Sequence, residues 1–446
     1  MGEARPTRRQ LWVIGAMLFG LFFGAGNLIF PVFVGQEAGQ SLPWAMGGFL
    51  LSGVGLPLLG VAAIGLTGSA GVFDLARRVG RPYAYFFTIA LYLCIGPAFA
   101  LPRLATISYE VGLARFVAPV QSPWALAGYS VLFFGAAWWA ARRPTRIMDY
   151  VGRILTPAFL ILLGVLLAAA VLRPLGPAAA ASGAYRAQPV LAGFTDGYAT
   201  MDALAALAFG IIVVDAIRGL GVTAPRAVAG ATMRAGVLAA ALMGVVYVLL
   251  AITGQTAVGA FGRAATGGPI LANVAHAYFG DFGNALLAVI VVLACLKTAI
   301  GLITAFGDTF KTLFPRLPYP LLIGVATVVP LVAANVGLGR LLAVSTPALM
   351  TLYPLAIVLI GLALATPWLG ESRWLFGTVT LATAVPALLD GLNALPAALH
   401  TGVVADLLAL GAWLPGFAYG LGWCVPAAVG LVVGLVLSQV TQRKAR

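Results

Sequence analysis

Apolar stretches of about 20 residues, the length that crosses a bilayer as a helix, recur from one end of this sequence to the other. Of its 446 residues, 61% are hydrophobic and only 9% are charged. That leaves too few polar side chains to cover the surface of a soluble globular protein. The sequence therefore predicts an all-α polytopic membrane protein that forms one transmembrane domain over residues 1–446.

We predict about twelve membrane spans from the positions of these stretches. They cover approximately residues 11–34, 45–68, 82–107, 123–141, 150–172, 195–217, 237–260, 284–308, 318–336, 341–365, 374–392 and 404–438. The last stretch is long enough to include an additional segment ahead of its membrane part.

The basic side chains predict the orientation of the spans. If the N-terminus is cytoplasmic, nineteen of the 26 Lys and Arg residues, from Arg5 to Arg446, fall on the inner side. Because positive charge concentrates in cytoplasmic loops, we expect both termini in the cytoplasm of a cell with a bacterial-type inner membrane. The same distribution explains the formal net charge of +13 without a nucleic-acid partner, since the charges form no dense cluster.

The first span is interrupted by the segment GLFFGAGNLIFP, residues 20–31. Gly, Asn and Pro loosen backbone hydrogen bonding, and each unpaired N–H or C=O group in hydrocarbon costs several kcal/mol. A broken helix of this kind indicates a binding site near the middle of the membrane. The alternative is close helix packing, because Gly20 and Gly24 form a GxxxG pair.

Two similar halves are indicated by a short match between spans 1 and 6. The first contains LFFG at 21–24 and the second LAFG at 207–210. Five-span repeats of opposite orientation follow, with the first repeat over 11–172 and the second over 195–365. Inverted repeats of this kind are typical of secondary transporters.

Five segments resemble the branched-chain amino acid:cation symporter family of the BrnQ type. They are GLFFGAGNLIFP, IGPAFALPRLATISYE at 95–110, GYATMDALAALAFGIIVVDAIR at 197–218, LKTAIGLITAFGDTF at 296–310 and LYPLAIVLI at 352–360. The resemblance implies a LeuT-like fold of ten core helices and two peripheral helices, the latter over 374–438. It also implies a secondary transporter that imports leucine, isoleucine and valine together with a cation.

Half-helix ends at such breaks can bind a zwitterionic amino acid, because N–H groups take its carboxylate and released carbonyls take its ammonium. The predicted carboxylate ligands are the N–H groups of Gly24, Ala25 and Gly26. The predicted ammonium ligands are carbonyls near Phe22, Ala203, Leu204 and Ala206, and Phe23, Leu207 and Phe209 are expected to line the apolar part of the pocket. One methylene is worth only about 1–3 kcal/mol, so Val, Leu and Ile are poorly distinguished.

The cation site departs from the family pattern at one position. The resemblance implies a sodium site built from carbonyls of the broken first helix and two adjacent hydroxyls in the pattern Leu-Thr-Thr-Ala-Ile-Gly-Leu. Here residues 296–302 read LKTAIGL, with Lys297 ahead of Thr298. We expect the amine of Lys297 to stand where sodium would, held by the carbonyls of Gly20 and Phe23 and by the Thr298 hydroxyl. Transport would then be independent of sodium or linked to protons, since burial favours the neutral form of an amine.

Other interpretations remain open for these charges. Lys297 could instead pair with Asp202 or Asp215 and be structural, in a conventional sodium-coupled symporter. Asn27 is placed for a second sodium site that the resemblance implies, although the sequence suggests no complete ligand set. The coupling ion is thus Na⁺ or H⁺, and no other cofactor is expected.

The outer side of the predicted pocket contains two further candidates. Arg103 and Asp202, or Arg103 and Glu110, could form a gating ion pair or a static one. The segment 261–283 is apolar for a loop and is predicted to be a re-entrant helical lid or a packed surface loop.

Other classes of function fit the sequence less well. An ion channel is usually built from symmetric subunits around a pore, whereas here a double repeat lies in one chain. Membrane enzymes and transition-metal sites need clustered acids, nucleophiles or ligands, and the three cysteines fall within apolar spans. We expect no enzyme activity and no obligate protein partner, with amino acids and the lipid bilayer as the contacts of the chain.

Overall fold

The computed structural model describes residues 6–117, 122–143, 146 and 148–444. Within these residues the chain is helical and contains no strand, which confirms the all-α prediction. Nine helical segments of the described chain are long and apolar enough to cross a membrane, or ten if one bent pair counts as a span. The predicted number of about twelve stays a prediction. Arg5 and Arg446, counted above for orientation, lie outside the described residues.

Nine α-helices are described before residue 173, each overlapping one of the first five predicted spans or flanking it. They are α1 (Arg8–Phe22), α2 (Ala25–Ala38), α3 (Leu42–Leu50), α4 (Leu56–Thr67), α5 (Val72–Ala76), α6 (Arg81–Leu93), α7 (Ala100–Ile107), α8 (Ser122–Ala141) and α9 (Thr156–Leu172). Wider π-helical turns join α3 to α4, extend α6 towards α7 and precede α9.

The later part of the described chain follows the remaining predicted spans. Its helices are α10 (Pro189–Tyr198), α11 (Asp202–Gly219), α12 (Pro225–Phe261), α13 (Gly267–Leu313), α14 (Tyr319–Ala334), α15 (Leu338–Leu369), α16 (Arg373–Asn393), α17 (Val403–Gly411) and α18 (Cys424–Lys444). The last predicted stretch is thus divided between a short helix, α17, and a long one, α18, as its length suggested.

The predicted interruption of the first span is present between α1 and α2. The chain leaves the helix at Phe23 (φ −75°, ψ 85°) and is extended at Gly24 (φ −107°, ψ −156°) before α2 begins at Ala25. The side chain of Asn27 accepts a hydrogen bond from the Gly24 N–H at 3.2 Å. Asn27 therefore caps the new helix from inside its first turn.

A second interruption lies between α10 and α11, which are bent by 41°. Met201 adopts left-handed backbone angles (φ 64°, ψ 12°), an uncommon and costly conformation for a residue other than glycine. The expectation that carbonyls of Ala203, Leu204 and Ala206 are released was wrong, because all three residues lie inside α11. The LAFG sequence at 207–210, which matches span 1, lies in regular helix. The break lies before it, between Tyr198 and Asp202.

Two glycines allow α2 to pack closely against α12. A Cβ on Gly35 would overlap the backbone of Ala251, and one on Gly254 would overlap the backbone of Val32. Only glycine permits this approach at both crossing points. The second half of the broken helix, α2, is therefore packed along α12, close to the interruption.

The segment 261–283 is mostly helical. It contains the first part of α13, which ends at a kink where Gly280 has φ 59° and ψ −140°. Gly267 at its start lies against the backbone of Ile29 in α2. The segment therefore packs on α2, the second half of the broken helix, and its role as a lid stays a prediction.

Candidate functional site

Lys297 is fully buried in α13 and points at the interruption of the first span. Its Nζ donates to the carbonyl of Phe23 at 2.6 Å and to the carbonyl of Gly20 at 3.0 Å. The Phe159 ring centroid lies 4.4 Å from Nζ, and the rings of Phe23 and Phe19 lie 5.4 and 5.6 Å away. Two carbonyls and three aromatic faces therefore surround the amine, an environment that suits a cation.

These contacts distinguish between the sequence interpretations of Lys297. The two carbonyl contacts expected from the sequence are present. Within the described residues Lys297 forms no ion pair with Asp202 or Asp215, so the alternative in which it pairs with either acid is not formed.

Thr298 contacts the same backbone from the next position in α13. Its hydroxyl donates to the Gly20 carbonyl at 3.4 Å rather than contacting the lysine amine as expected. A Cβ on Gly24 would lie 3.2 Å from this hydroxyl. The hydroxyl is thus at the interruption, beside the amine and not bonded to it.

Asn27, Asp202 and Tyr247 form a buried polar cluster on the α2 side of the interruption. Asn27 Nδ2 donates to Asp202 Oδ2 at 2.7 Å and contacts the Tyr247 hydroxyl, which itself donates to Asp202 Oδ2 at 2.6 Å. All three side chains are at most 2% exposed. The cluster links α2, α11 and α12, so it connects both helix breaks.

Sequence reasoning missed Tyr247 and Phe159. Tyr247 is the one tyrosine in the largely apolar sequence of α12, and Phe159 is one of many phenylalanines. A tyrosine inside an otherwise apolar span requires a buried partner, and this is the signal that would have identified Tyr247. Nothing in the sequence distinguishes Phe159.

Arg103 lies in α7 and is 5% exposed. Its NH1 group donates to the Ala199 carbonyl at 3.0 Å, and its Cζ lies 5.5 Å from the Phe30 ring centroid. Within the described residues Arg103 forms an ion pair with neither Asp202 nor Glu110. The predicted gating pair is therefore wrong for this conformation, because Arg103 is bonded to the end of α10 and Asp202 to Asn27 and Tyr247.

Four of the remaining predicted substrate residues lie in three different places. Phe22 and Phe209 meet, with ring centroids 5.8 Å apart, beside the interruption. Ala206 instead faces α4, where its Cβ lies 3.1 Å from the Cβ position of Gly60. The ring of Phe23 stacks on Phe19 at 5.1 Å, on the lysine side of the break.

The other predicted backbone and side-chain positions are buried near the breaks. The Gly24 N–H is occupied by Asn27, whereas Ala25 and Gly26 form the first turn of α2. Leu204 and Leu207 are fully buried in α11, as is Ala203. The Arg103 guanidinium lies between the first turn of α2 and the end of α10, and the Phe22–Phe209 pair lies at the end of α1.

Comparison with known proteins adds to this geometry. The family model described as "Branched-chain amino acid transport protein" matches residues 7–441. The branched-chain amino acid permease BraB of Bacillus subtilis is 42% identical over 440 residues, which are 98% of this chain and 97% of that protein. The branched-chain amino acid permease BrnQ of Lactobacillus delbrueckii is 43% identical over 447 residues, 99% of this chain and 100% of that protein.

Among solved structures, the crystal structure of MhsT in complex with L-phenylalanine is similar to this chain with a TM-score of 0.51. The similarity covers 98% of this chain and 100% of that one at 17% sequence identity. At this identity the comparison concerns the fold alone, and it confirms the predicted LeuT-like architecture.

Proposed function

Because the chain belongs to the family of branched-chain amino acid transport proteins, we propose that it imports leucine, isoleucine and valine as a secondary transporter. Members of this family are transporters and not enzymes, located in the inner cell membrane. The observation that carries the proposal is the match of residues 7–441 to the family model. The two helix breaks support it, since broken helices are the usual substrate sites of transporters with this fold.

In this proposal the amino acid binds between the two breaks. Its carboxylate lies at the N-terminus of α2, where the N–H groups of Ala25 and Gly26 and the helix dipole favour an anion. Its ammonium binds carbonyls at the C-terminal end of α10, and its aliphatic side chain packs beside Phe22 and Phe209. Alternating access then moves one five-helix repeat, 11–172, against the other, 195–365, with both termini cytoplasmic.

We further propose that Lys297 takes the place of a sodium ion. The amine supplies a fixed positive charge to the carbonyls of Gly20 and Phe23, which are 3.0 and 2.6 Å away. It therefore joins α13 to the broken helix without a bound metal ion. Release of a proton from this amine would remove the charge that holds the two helices together, so a proton gradient is the proposed driving force.

A second candidate is a conventional sodium-coupled symporter in which Lys297 is structural. The contact of the Thr298 hydroxyl with the Gly20 carbonyl favours it, because a hydroxyl and a carbonyl of the implied sodium site remain adjacent. The two candidates share a substrate and differ in the ion that drives uptake.

Uptake by the purified protein in proteoliposomes tests the function common to both. We expect saturable uptake of radiolabelled leucine to a concentration above that outside, with competition by unlabelled isoleucine and valine. Protein-free vesicles are the control. No uptake above that control, an ionic conductance without leucine accumulation, or recovery of chemically altered leucine would contradict the proposal.

A further inference from the structure

Arg103 lies beside both helix breaks, although it belongs to neither broken helix. Its NH1 group donates to the carbonyl of Ala199, the C-cap residue of α10. Its NH2 group lies 3.0 Å from the position that a Cβ on Gly26 would occupy, in the first turn of α2. The guanidinium thus lies between the C-terminal end of one half-helix and the N-terminal end of another.

This position is electrostatically incomplete. The N-terminus of α2 carries positive partial charge, so the buried cation and the helix end oppose each other. Within the described residues no carboxylate lies within 4.0 Å of the guanidinium. The Asp202 carboxylate is bonded through Oδ2 to Asn27 and Tyr247 instead. A buried charge without a carboxylate in direct contact is costly in a membrane protein and usually marks a functional site.

We propose that Arg103 binds the carboxylate of the transported amino acid, together with the N–H groups of Ala25 and Gly26. This inference rests on the proposed function, and it names the side chain that recognises one end of the substrate. The Asp202 carboxylate acts on the guanidinium only from beyond 4.0 Å, whereas the carboxylate of an α-amino acid can contact it directly. A guanidinium has five N–H donors in a planar fork, and the bond to Ala199 leaves others for a bidentate contact with a carboxylate.

Glycine at position 26 is consistent with this assignment. A Cβ there would lie 3.0 Å from NH2 of Arg103 and 3.2 Å from the ring of Phe30. A side chain at this point would therefore crowd the guanidinium and the Phe30 ring that lies 5.5 Å from its Cζ. The small residue lets the guanidinium approach the first turn of α2 closely.

Binding to the purified full-length protein tests the inference, with L-leucine compared with L-leucinamide. The amide keeps the ammonium and the aliphatic side chain but lacks the carboxylate charge. We expect the wild-type protein to bind leucine about 100-fold more tightly than leucinamide, as is typical when one partner of a buried charged pair is removed. In Arg103→Gln we expect leucine affinity to fall by about the same factor and the preference to disappear.

Two further variants keep the experiment decisive. Arg103→Met removes the buried charge and keeps an unbranched apolar stem, and it should show the same loss of preference if Arg103→Gln does not fold. Arg186→Gln is the matched control, because Arg186 also donates to a single carbonyl, that of Ala181 at 2.7 Å, but is exposed. It should behave as wild type.

The outcomes separate this inference from the proposed function. If the wild-type protein binds leucine but either Arg103 variant keeps its preference for leucine over leucinamide, Arg103 is not the carboxylate ligand. Equal binding of leucine and leucinamide by the wild type would overturn the inference while leaving the proposed function intact. If the wild type binds no leucine at all, the proposed function fails, and the assignment of Arg103 fails with it.

Discussion

The amine of Lys297 donates a 2.6 Å hydrogen bond to the carbonyl oxygen of Phe23. This bond joins a side chain of α13 to a backbone group that the first span no longer pairs within a helix. A carbonyl released by a helix break must find a donor or a cation in the membrane. In this protein a side chain of the chain itself satisfies it, and the family resemblance placed a sodium ion at this point.

The aromatic rings around Lys297 should stabilise its charge. We expect Phe159→Leu to lower the free energy of unfolding more in the wild-type background than in Lys297→Met. The difference should be about 1–2 kcal/mol, the value of a desolvated cation–π contact. A double-mutant cycle on the purified protein measures it. Phe134→Leu is the control, because Phe134 is also fully buried but is not among the rings that face the amine; a coupling as large for Phe134 would contradict the assignment.

Gly20 should tolerate no side chain. A Cβ there would overlap the hydroxyl of Thr156, so we expect Gly20→Ala to destabilise the protein by about 1–3 kcal/mol and to reduce uptake. Thr156→Ala should partly restore both in the double variant. Within the described residues the Thr156 hydroxyl has no hydrogen-bond partner, so its removal should cost little by itself.

Gly164→Ala in α9 is the matched control for that experiment. No atom lies within 4 Å of its Cβ position, so the substitution should leave uptake unchanged and favour the helix by up to about 1 kcal/mol. A Gly20→Ala variant as stable and active as Gly164→Ala would contradict the close approach of α1 and α9 at Gly20.

Each hydrogen bond in the cluster of Asn27, Asp202 and Tyr247 should contribute to the free energy of unfolding. Tyr247→Phe removes a donor to the Asp202 carboxylate, and we expect a loss of about 1 kcal/mol in unfolding free energy. Asn27→Ala removes a second donor to Asp202 and the cap on Gly24, so its loss should be larger, about 2–3 kcal/mol.

Thermal unfolding of the purified variants checks this order. Tyr83→Phe serves as the control, because the buried Tyr83 hydroxyl has no hydrogen-bond partner within the described residues. A Tyr83→Phe variant as unstable as Tyr247→Phe, or an Asn27→Ala variant as stable as wild type, would contradict the role given to the cluster.

The first helix break could be predicted because its cause is local. Gly24, Gly26 and Asn27 lie within four residues of one another, and each weakens a helix by itself. The bonds of Lys297 to Gly20 and Phe23 were also anticipated, since the family resemblance placed position 297 opposite these carbonyls. Both inferences depend on patterns that short stretches of sequence carry.

The second break could not be located in this way. It lies at residues 199–201, which contain neither glycine nor proline, although the buried Met201 has left-handed backbone angles. The match of LAFG to LFFG moved the predicted break downstream into α11. The bond between Asn27 and Tyr247 joins residues 220 positions apart, and no local pattern indicates such a contact.

Leucine uptake into proteoliposomes with sodium, and then with choline in its place, tests the role of Lys297 most directly, with a proton gradient imposed in both cases. We predict equal uptake by the wild-type protein in the two salts, and uptake by Lys297→Thr that requires sodium, because the second hydroxyl of the family pattern is then restored. Loss of wild-type uptake when choline replaces sodium would contradict the proposal that the lysine amine stands in place of the ion.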